Sequence, residues 1–230
     1  MDKKTVLSCK DIVKSFGYGR LKTEVLKKAT IEIFEGDFIM LVGPSGSGKT
    51  TLLSIIATLL SFESGECSLL NQNIKHLNES EKTEIRKKKL GYVFQTFNLI
   101  PTLTVFENIN IPLLINNIRG KEASDRIDKQ LARFGIENRK SAFPCELSSG
   151  EKQRVSIARA LVHNPDFIIC DEPTSSLDFE NGQIILRYLK KIAEKESKTI
   201  LIVTHDTRIF KFADQIFELS KGAIYKHNKN

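Results

Sequence analysis

The sequence has no tryptophan and only four cysteines, which lie far apart along its 230 residues. None belongs to a Cys-x-x-Cys pair or has a histidine beside it, so a zinc site and a disulfide framework are both poor interpretations. We expect all four to be reduced thiols: Cys9, Cys67, Cys145 and Cys170.

Long hydrophobic runs are also missing. The longest uncharged stretches are residues 50–62, too short to span a bilayer, and residues 90–106, which Gln95, Asn98 and Pro101 interrupt. The sequence runs from Met1-Asp2-Lys3-Lys4 directly into strand-like alternation, without the apolar segment of an export signal. These absences predict a cytoplasmic location and no membrane span.

The charge is unbalanced but not strongly patterned. The formal net charge is +7, the basic residues are spread along the sequence, and part of the excess lies in residues 221–230, where we expect a solvated tail. We therefore expect no nucleic-acid partner. With 40% hydrophobic and 27% charged residues, the composition is that of an ordinary globular domain and excludes disordered or fibrous classes.

Hydrophobic periodicity predicts an α/β fold. Residues 5–34 alternate apolar and polar around a polar interruption at 17–23, which predicts antiparallel strands and a long loop. Four short apolar runs, at residues 38–42, 90–94, 167–170 and 200–203, read as buried strands of a parallel sheet.

Helical patterns fill most of the remaining sequence. Three occur within residues 96–164, at 105–118, 122–135 and 151–163, and predict an inserted helical subdomain. Residues 181–196 place Ile185, Leu189 and Ile192 on one face, as expected for an amphipathic helix that covers the sheet. We therefore predict one domain, with residues 1–95 and 165–230 as its core and residues 96–164 as the helical part.

A phosphate-binding pattern follows the first buried strand. The segment fits G-x-x-x-x-G-K-[ST] and precedes an apolar helix that we place at residues 51–60. Glycines let backbone N–H groups converge on phosphate oxygens, the lysine reaches the β and γ phosphates, and the hydroxyl of the next residue can bind Mg²⁺. The predicted nucleotide-binding residues here are Gly43, Pro44, Ser45, Gly46, Ser47, Gly48, Lys49, Thr50 and Thr51.

Two further buried strands end in polar side chains. Residues 167–170 lead into Asp171 and Glu172, and residues 200–203 lead to His205. Carboxylates at a strand end beside a phosphate loop suit metal binding and water activation, so we assign Asp171 to Mg²⁺ and Glu172 to the attacking water. A single histidine in such a position is more often structural, and only its neighbours favour a functional role.

Several segments together resemble the ATP-binding cassette (ABC) family. Leu147-Ser148-Ser149-Gly150-Glu151 is similar to the family's signature sequence, Ser175-Ser176-Leu177-Asp178 to its D-loop, and Gln95 to its Q-loop. His205 matches the switch histidine, and Phe16 lies where the family places an aromatic side chain that stacks on adenine. The resemblance covers nearly the whole sequence, and the absence of Asn-Lys-x-Asp argues against a GTPase.

The resemblance implies an ATPase that works as a head-to-tail homodimer. One chain supplies the phosphate loop, with Glu172, His205 and Gln95 in catalysis and Thr50, Gln95 and Asp171 at the metal. The other supplies Ser148, Ser149, Gly150, Glu151 and Asp178 across the bound ATP. It also implies a membrane permease as partner, so we expect a peripheral location on the inner face of the membrane.

Within the family, the sequence resembles ATPases of the lipoprotein-releasing and macrolide-exporter type. The resemblance rests on residues 92–104 and 107–114 and on the long loop after Phe16. It implies that a short permease helix docks near residues 96–118. Two alternatives stay open: mechanical work on the cell envelope without transport, and, less favoured at this length, a soluble role in translation or DNA repair.

The signature segment departs from the family's common Leu-Ser-Gly-Gly-Gln at two positions. Glu151 replaces glutamine, which is frequent in the family, and Ser149 replaces the first glycine, which adds a side chain close to the nucleotide. We expect Ser149 to be tolerated because Ser148 and Gly150 remain.

Overall fold

The computed structural model describes residues 3–227. Met1, Asp2 and residues 228–230 lie outside the described residues, and with them part of the segments used above to predict a missing export signal and a solvated tail. Within residues 3–227, no helix combines the length and the apolar character needed to cross a membrane.

An antiparallel sheet forms from the first part of the chain. Its strands are β1 (Thr5–Phe16), β2 (Thr23–Phe34), β4 (Ser64–Leu69) and β5 (Gln72–Asn73), in the spatial order β2-β1-β4-β5. The predicted pair at residues 5–34 is confirmed, and the polar interruption between its strands contains a short 3₁₀ turn at Gly19–Leu21. The strands β4 and β5 were not predicted.

A second sheet carries the four predicted parallel strands, β3 (Phe38–Val42), β6 (Leu90–Val93), β7 (Phe167–Asp171) and β8 (Thr199–Val203). Two strands that were not predicted follow: β9 (Gln215–Ser220) pairs parallel with β3, and β10 (Ala223–His227) runs antiparallel to β9 at one edge. The order is β10-β9-β3-β8-β7-β6, so β3 lies between strands from the end of the chain. The parallel sheet and the α/β fold class are thus confirmed.

Six α-helices complete the described structure. They are α1 (Lys49–Ile56), α2 (Glu79–Lys88), α3 (Val105–Ile115), α4 (Gly120–Phe134), α5 (Ser149–Leu161) and α6 (Phe179–Glu196). Four were predicted with boundaries within a few residues. The helix after the phosphate loop is shorter than predicted at its far end, since it stops at Ile56 and Leu59 is exposed.

The core has two layers, one on each face of the parallel sheet. Because side chains alternate along a strand, Phe38, Met40 and Val42 face one side, where they pack with α3 to α6. Ile39 and Leu41 face the other side, where they pack with α1 and the antiparallel sheet. The helices within residues 96–164 therefore share one core with the sheet.

The end of the chain differs from the prediction. Residues 221–230 were expected to be a solvated tail, but Ala223–His227 pair with β9 as strand β10. The side chains of β10, such as Tyr225, are largely exposed, so the sequence shows no hydrophobic strand pattern here. The strand is stabilised by backbone pairing at the sheet edge.

Candidate active site

The phosphate loop connects β3 to α1, and close packing restricts it to glycine at two positions. At Gly43 the backbone φ is +149°, and a Cβ atom would lie 2.2 Å from the Leu219 carbonyl oxygen of β9. At Gly48, φ is +103° and a Cβ would lie 3.0 Å from Val25 Cγ1. Both glycines are therefore required by the packing of the loop as well as by the approach of a phosphate.

The amino terminus of α1 is open to an external anion. Its N-cap residue, Gly48, offers no side chain to bond the first backbone N–H groups. Such free N–H groups, together with the helix dipole, attract phosphate. The Lys49 ammonium spans the same loop, where it donates to the carbonyl oxygens of Gly43 at 2.8 Å and Pro44 at 2.9 Å.

A cavity of about 830 Å³ brings most of the predicted site together. Besides the phosphate loop it is lined by Phe16 from β1 and by Gln95, Asp171, Glu172 and His205, which follow the carboxyl ends of three parallel strands. Its walls also include Val25 and Val203, which sequence analysis missed because nothing distinguishes them from ordinary strand residues. Ser47 does not line the cavity, and its hydroxyl is buried without a partner.

A short hydrogen bond joins the predicted water-activating acid to the histidine. His205 Nδ1 donates to Glu172 Oε1 at 2.7 Å, with the Glu172 side chain nearly buried and His205 72% exposed. Glu172 itself has a left-handed backbone, with φ at +50°. A residue other than glycine in this region is strained, and such strain concentrates at functional sites. The carboxylate is thus held in one orientation at the edge of the cavity.

Asp171 lies in a setting that disfavours its charge. Burial, and then the neighbouring Glu172 carboxylate, raise the pKa of Asp171, while the Lys49 ammonium acts in the opposite direction. A cation beside Asp171 would remove this cost. Thr50 and Gln95 line the same cavity and offer hydroxyl and amide oxygens, which together with a carboxylate are the donors that Mg²⁺ prefers.

The signature residues lie elsewhere, at the amino terminus of α5. Ser148 caps this helix, and its hydroxyl and backbone N–H both donate to Glu151 Oε2, at 3.0 and 2.9 Å. Arg139, which sequence analysis did not single out, donates to Glu151 Oε1 at 2.6 Å. The Ser148 N–H and then Arg139 lower the pKa of Glu151. The Ser148 cap is therefore held in place by a carboxylate of its own helix.

Asp178 caps α6 in a similar way. Its carboxylate accepts from the backbone N–H of Asn181 at 2.9 Å, and the Asn181 amide oxygen accepts from Arg154 of α5 at 3.0 Å. The signature helix and the D-loop are thus tied together. None of the predicted residues at positions 148–151 and 178 lines the cavity.

Comparison with known proteins agrees with a nucleotide-binding site at this cavity. A family model described as "ABC transporter" matches residues 26–175. An uncharacterised ABC transporter ATP-binding protein of Methanocaldococcus jannaschii, MJ0796, is 39% identical over 228 residues, which are 97% of each protein. The lipoprotein-releasing system ATP-binding protein LolD of Legionella pneumophila is 37% identical, over 96% of this chain and 97% of LolD.

A solved structure is similar over the same extent. It is a dimer of the ATP-binding cassette MJ0796 in a post-hydrolysis state, bound to ADP and inorganic phosphate. The TM-score is 0.89 at 38% identity, over 97% of this chain and 100% of that one.

Proposed function

The chain belongs to the ABC transporter family as an ATP-binding and ATP-hydrolysing subunit, and from this premise we propose that it drives a membrane exporter or lipoprotein-releasing complex through the site described above. The observation that carries the proposal is the single cavity shared by the phosphate loop, Phe16, Gln95, Asp171, Glu172 and His205. This set of groups suits the binding of a nucleoside triphosphate and the activation of the water that attacks its γ-phosphate.

In the proposed reaction, ATP and water give ADP and phosphate. Lys49 and the amides at the start of α1 bind the phosphates, and Phe16 stacks on the adenine. Glu172 accepts a proton from the attacking water, and His205 holds the Glu172 carboxylate and the γ-phosphate in position. The lysine and the helix terminus stabilise the charge that builds up on the phosphoryl oxygens.

We propose Mg²⁺ as the cofactor, held by Thr50, Gln95 and Asp171. The raised pKa of Asp171 supports a cation at this place. Mg²⁺ would neutralise the charge of the β and γ phosphates.

The location of the signature residues supports a head-to-tail homodimer. Ser148, Ser149, Gly150, Glu151 and Asp178 lie outside the cavity of their own chain, so they would meet the ATP bound by a second copy. ATP would then hold the two chains together and hydrolysis would loosen them. ATP and ADP would thus favour the closed dimer to different extents, and a permease bound to both chains would change conformation with them.

We place the permease contact near residues 96–118 and the complex at the inner face of the membrane. Within this segment Ile100 is 42% exposed, Leu114 46% and Ile115 54%, although α3 buries its opposite face. Exposed apolar side chains in the segment that follows Gln95 in the sequence suit a short helix from the membrane subunit. The similarity to LolD over nearly its whole length supports the lipoprotein-releasing type.

A co-purification experiment tests this proposal. The chain is tagged, membranes are solubilised gently, and Glu172→Gln with ATP holds the complex closed. We expect a membrane protein with few spans and a large extracytoplasmic domain. A permease with many spans would overturn the subfamily, and ribosomes or DNA-repair proteins without a membrane chain would overturn the transporter function.

A further inference from the structure

A basic groove runs between α4 and α6, on residues to which the proposed ATPase assigns no role. Three adjoining cavities of about 420, 380 and 190 Å³ share lining residues and follow α6 from Ile184 to Lys198. At 1.5 Å per helical residue this is about 20 Å. The floor contains Tyr188 and Ile192, so the groove has an apolar base beneath charged walls.

The walls of the basic groove concentrate the charge of the chain. The cations that line it come from α4 and from α6 with the residues after it: Arg126, Lys129, Arg133, Arg187, Lys191, Lys195 and Lys198. The lining contains only one carboxylate, Glu196. This excess of six positive charges compares with +7 for the whole sequence. The basic residues are spread along the sequence, yet folding brings two distant helices side by side and gathers seven of them on one surface.

Three of these cations are free to pair with an external anion. Arg126 is bonded to Glu122, Arg133 to Glu196 and Arg187 to the amide oxygen of Gln183, and Lys198 lies 3.6 Å from Asp166. Within residues 3–227, by contrast, Lys129, Lys191 and Lys195 have no carboxylate within salt-bridge distance. All three line the central cavity of the groove.

Two buried acceptors at one end of the groove also lack partners. Gln130 is 92% buried, and its Oε1 has no hydrogen bond. His163 donates from Nε2 to the Leu90 carbonyl oxygen at 2.9 Å, and burial lowers its pKa, so Nδ1 carries a lone pair that is also without a partner. A buried acceptor without a donor is costly. Both atoms have almost no solvent-accessible surface, so they contribute a cost inside the protein and offer no contact to an occupant of the groove.

The basic groove lies far from the nucleotide cavity. Its residues Pro165 and Lys198 precede β7 and β8, whereas Asp171, Glu172 and His205 follow those strands. It also adjoins the carboxyl end of α5, one helix length away from Ser148 at the amino end. No residue of segment 96–118 lines it. The basic groove would stay open in the proposed homodimer.

We propose that the basic groove binds an acidic peptide segment of a partner protein. The carboxylates of the segment pair with Lys129, Lys191 and Lys195, and its apolar side chains lie over Tyr188 at the base of the groove. A flat bilayer cannot enter a groove between two helices. A groove of about 20 Å accommodates about six extended residues.

Fluorescence anisotropy with the full chain tests this assignment without involving ATP, so its outcome is independent of the proposed ATPase. The probe is a labelled ten-residue peptide of alternating Glu and Ala, compared with the same peptide carrying Gln for Glu. We expect the acidic peptide to bind at low salt and the neutral one to bind at least tenfold more weakly, about the effect of several lost charge pairs.

Matched variants locate the binding. Reversal of Lys129, Lys191 and Lys195 to Glu should weaken binding about tenfold, whereas reversal of the exposed Lys4, Lys10 and Lys121 to Glu should have less than about a threefold effect. Tyr188→Ala, which keeps the net charge, should weaken binding about fivefold, because it removes apolar contact area at the base of the groove. Circular dichroism and urea unfolding verify that each variant is folded.

Other outcomes would overturn the proposal. Equal effects of the two triple reversals would show attraction by net charge alone, and an unchanged affinity in Tyr188→Ala would show that the peptide does not enter the groove. Vesicles containing phosphatidylserine and single-stranded polyuridylate are tested with the same variants. If either binds through Lys129, Lys191 and Lys195 and the acidic peptide does not displace it, the occupant is a lipid surface or RNA.

Discussion

The amino termini of α1 and α5, which we propose to face the same triphosphate in the homodimer, are built in opposite ways. The first turn of α1 follows Gly48 and has no side-chain cap. The first turn of α5 follows Ser148, whose hydroxyl and N–H are both bonded to Glu151. The α1 terminus therefore carries no negative charge of its own at the cap, whereas a phosphate at the α5 terminus would lie beside the Glu151 carboxylate. This difference makes the two termini separable by mutation.

The largest expected effect comes from a variant in the nucleotide cavity, which the start of α1 also lines. Glu172→Gln should lower ATP turnover roughly 100-fold or more, because an amide cannot accept the proton of the attacking water. ATP binding should persist, since Lys49 and the open helix terminus are untouched, and ATP should trap a dimer visible by gel filtration. Near-normal turnover would remove Glu172 from the role of base.

Two glycine variants test the packing of the phosphate loop separately from its role in catalysis. Gly43→Ala should lower the free energy of unfolding by about 3 kcal/mol, because its Cβ would meet the Leu219 carbonyl oxygen at 2.2 Å on a backbone unsuited to alanine. Gly46→Ala, with φ at +77° and no atom within 4 Å of the added Cβ, should cost only about 1 kcal/mol. Urea unfolding measures both, and equal losses would contradict the contact with β9.

The next variant removes the charge of the Glu151 carboxylate at the start of α5. Glu151→Gln should let ATP induce dimerisation at about threefold lower concentration, because a negative charge leaves the place where the γ-phosphate is expected. Light scattering against ATP concentration measures this change. An unchanged midpoint would mean that the Glu151 charge does not compete with nucleotide.

Glu151→Gln should also alter stability, in a direction that depends on pH. The folded pKa of Glu151 is lowered, so its stabilising effect is present above its unfolded value of about 4.3 and is lost as pH falls through the folded pKa. The variant should therefore unfold at lower urea concentration than the parent at neutral pH, and the difference should vanish in acid.

The smallest expected effect concerns Ser149, which replaces the first glycine of the common signature sequence. Ser149→Gly should leave ATPase activity within about threefold, a difference under about 1 kcal/mol in activation free energy. Ser149 is the first residue of α5, and the cap formed by Ser148 and Glu151 does not involve its side chain. A tenfold increase in activity would instead identify Ser149 as a brake on closure.

The parts of the site that follow contiguous sequence patterns could be predicted from the sequence. The phosphate loop, the acids after β7 and the histidine after β8 each follow an apolar run, and parallel strands bring such ends to one edge of a sheet. The meeting of Phe16 with this edge, in contrast, came from family resemblance, because the pairing of two separate sheets leaves no local signal. The sequence did not predict α2, whose only fully buried residue is Ile85.

The basic groove shows a second limit. Arg126, Lys129 and Arg133 recur at helical spacing, as do Lys191, Lys195 and Lys198, and each stripe alone looks like a solvated helix face. Only the packing of α4 beside α6 makes them one surface. The same holds for Arg139, whose bond to Glu151 joins two segments that have no pattern in common.

The position of β3 in its sheet has a consequence for the order of folding. This strand precedes the phosphate loop, yet its two neighbours, β8 and β9, follow it by more than 150 residues in the sequence. A nascent chain that ends before Leu219 carries the whole phosphate loop but lacks part of β9 and the Leu219 carbonyl against which Gly43 packs. Pairings so distant in sequence form slowly, and tight nucleotide binding should therefore begin only when the last strands are in place.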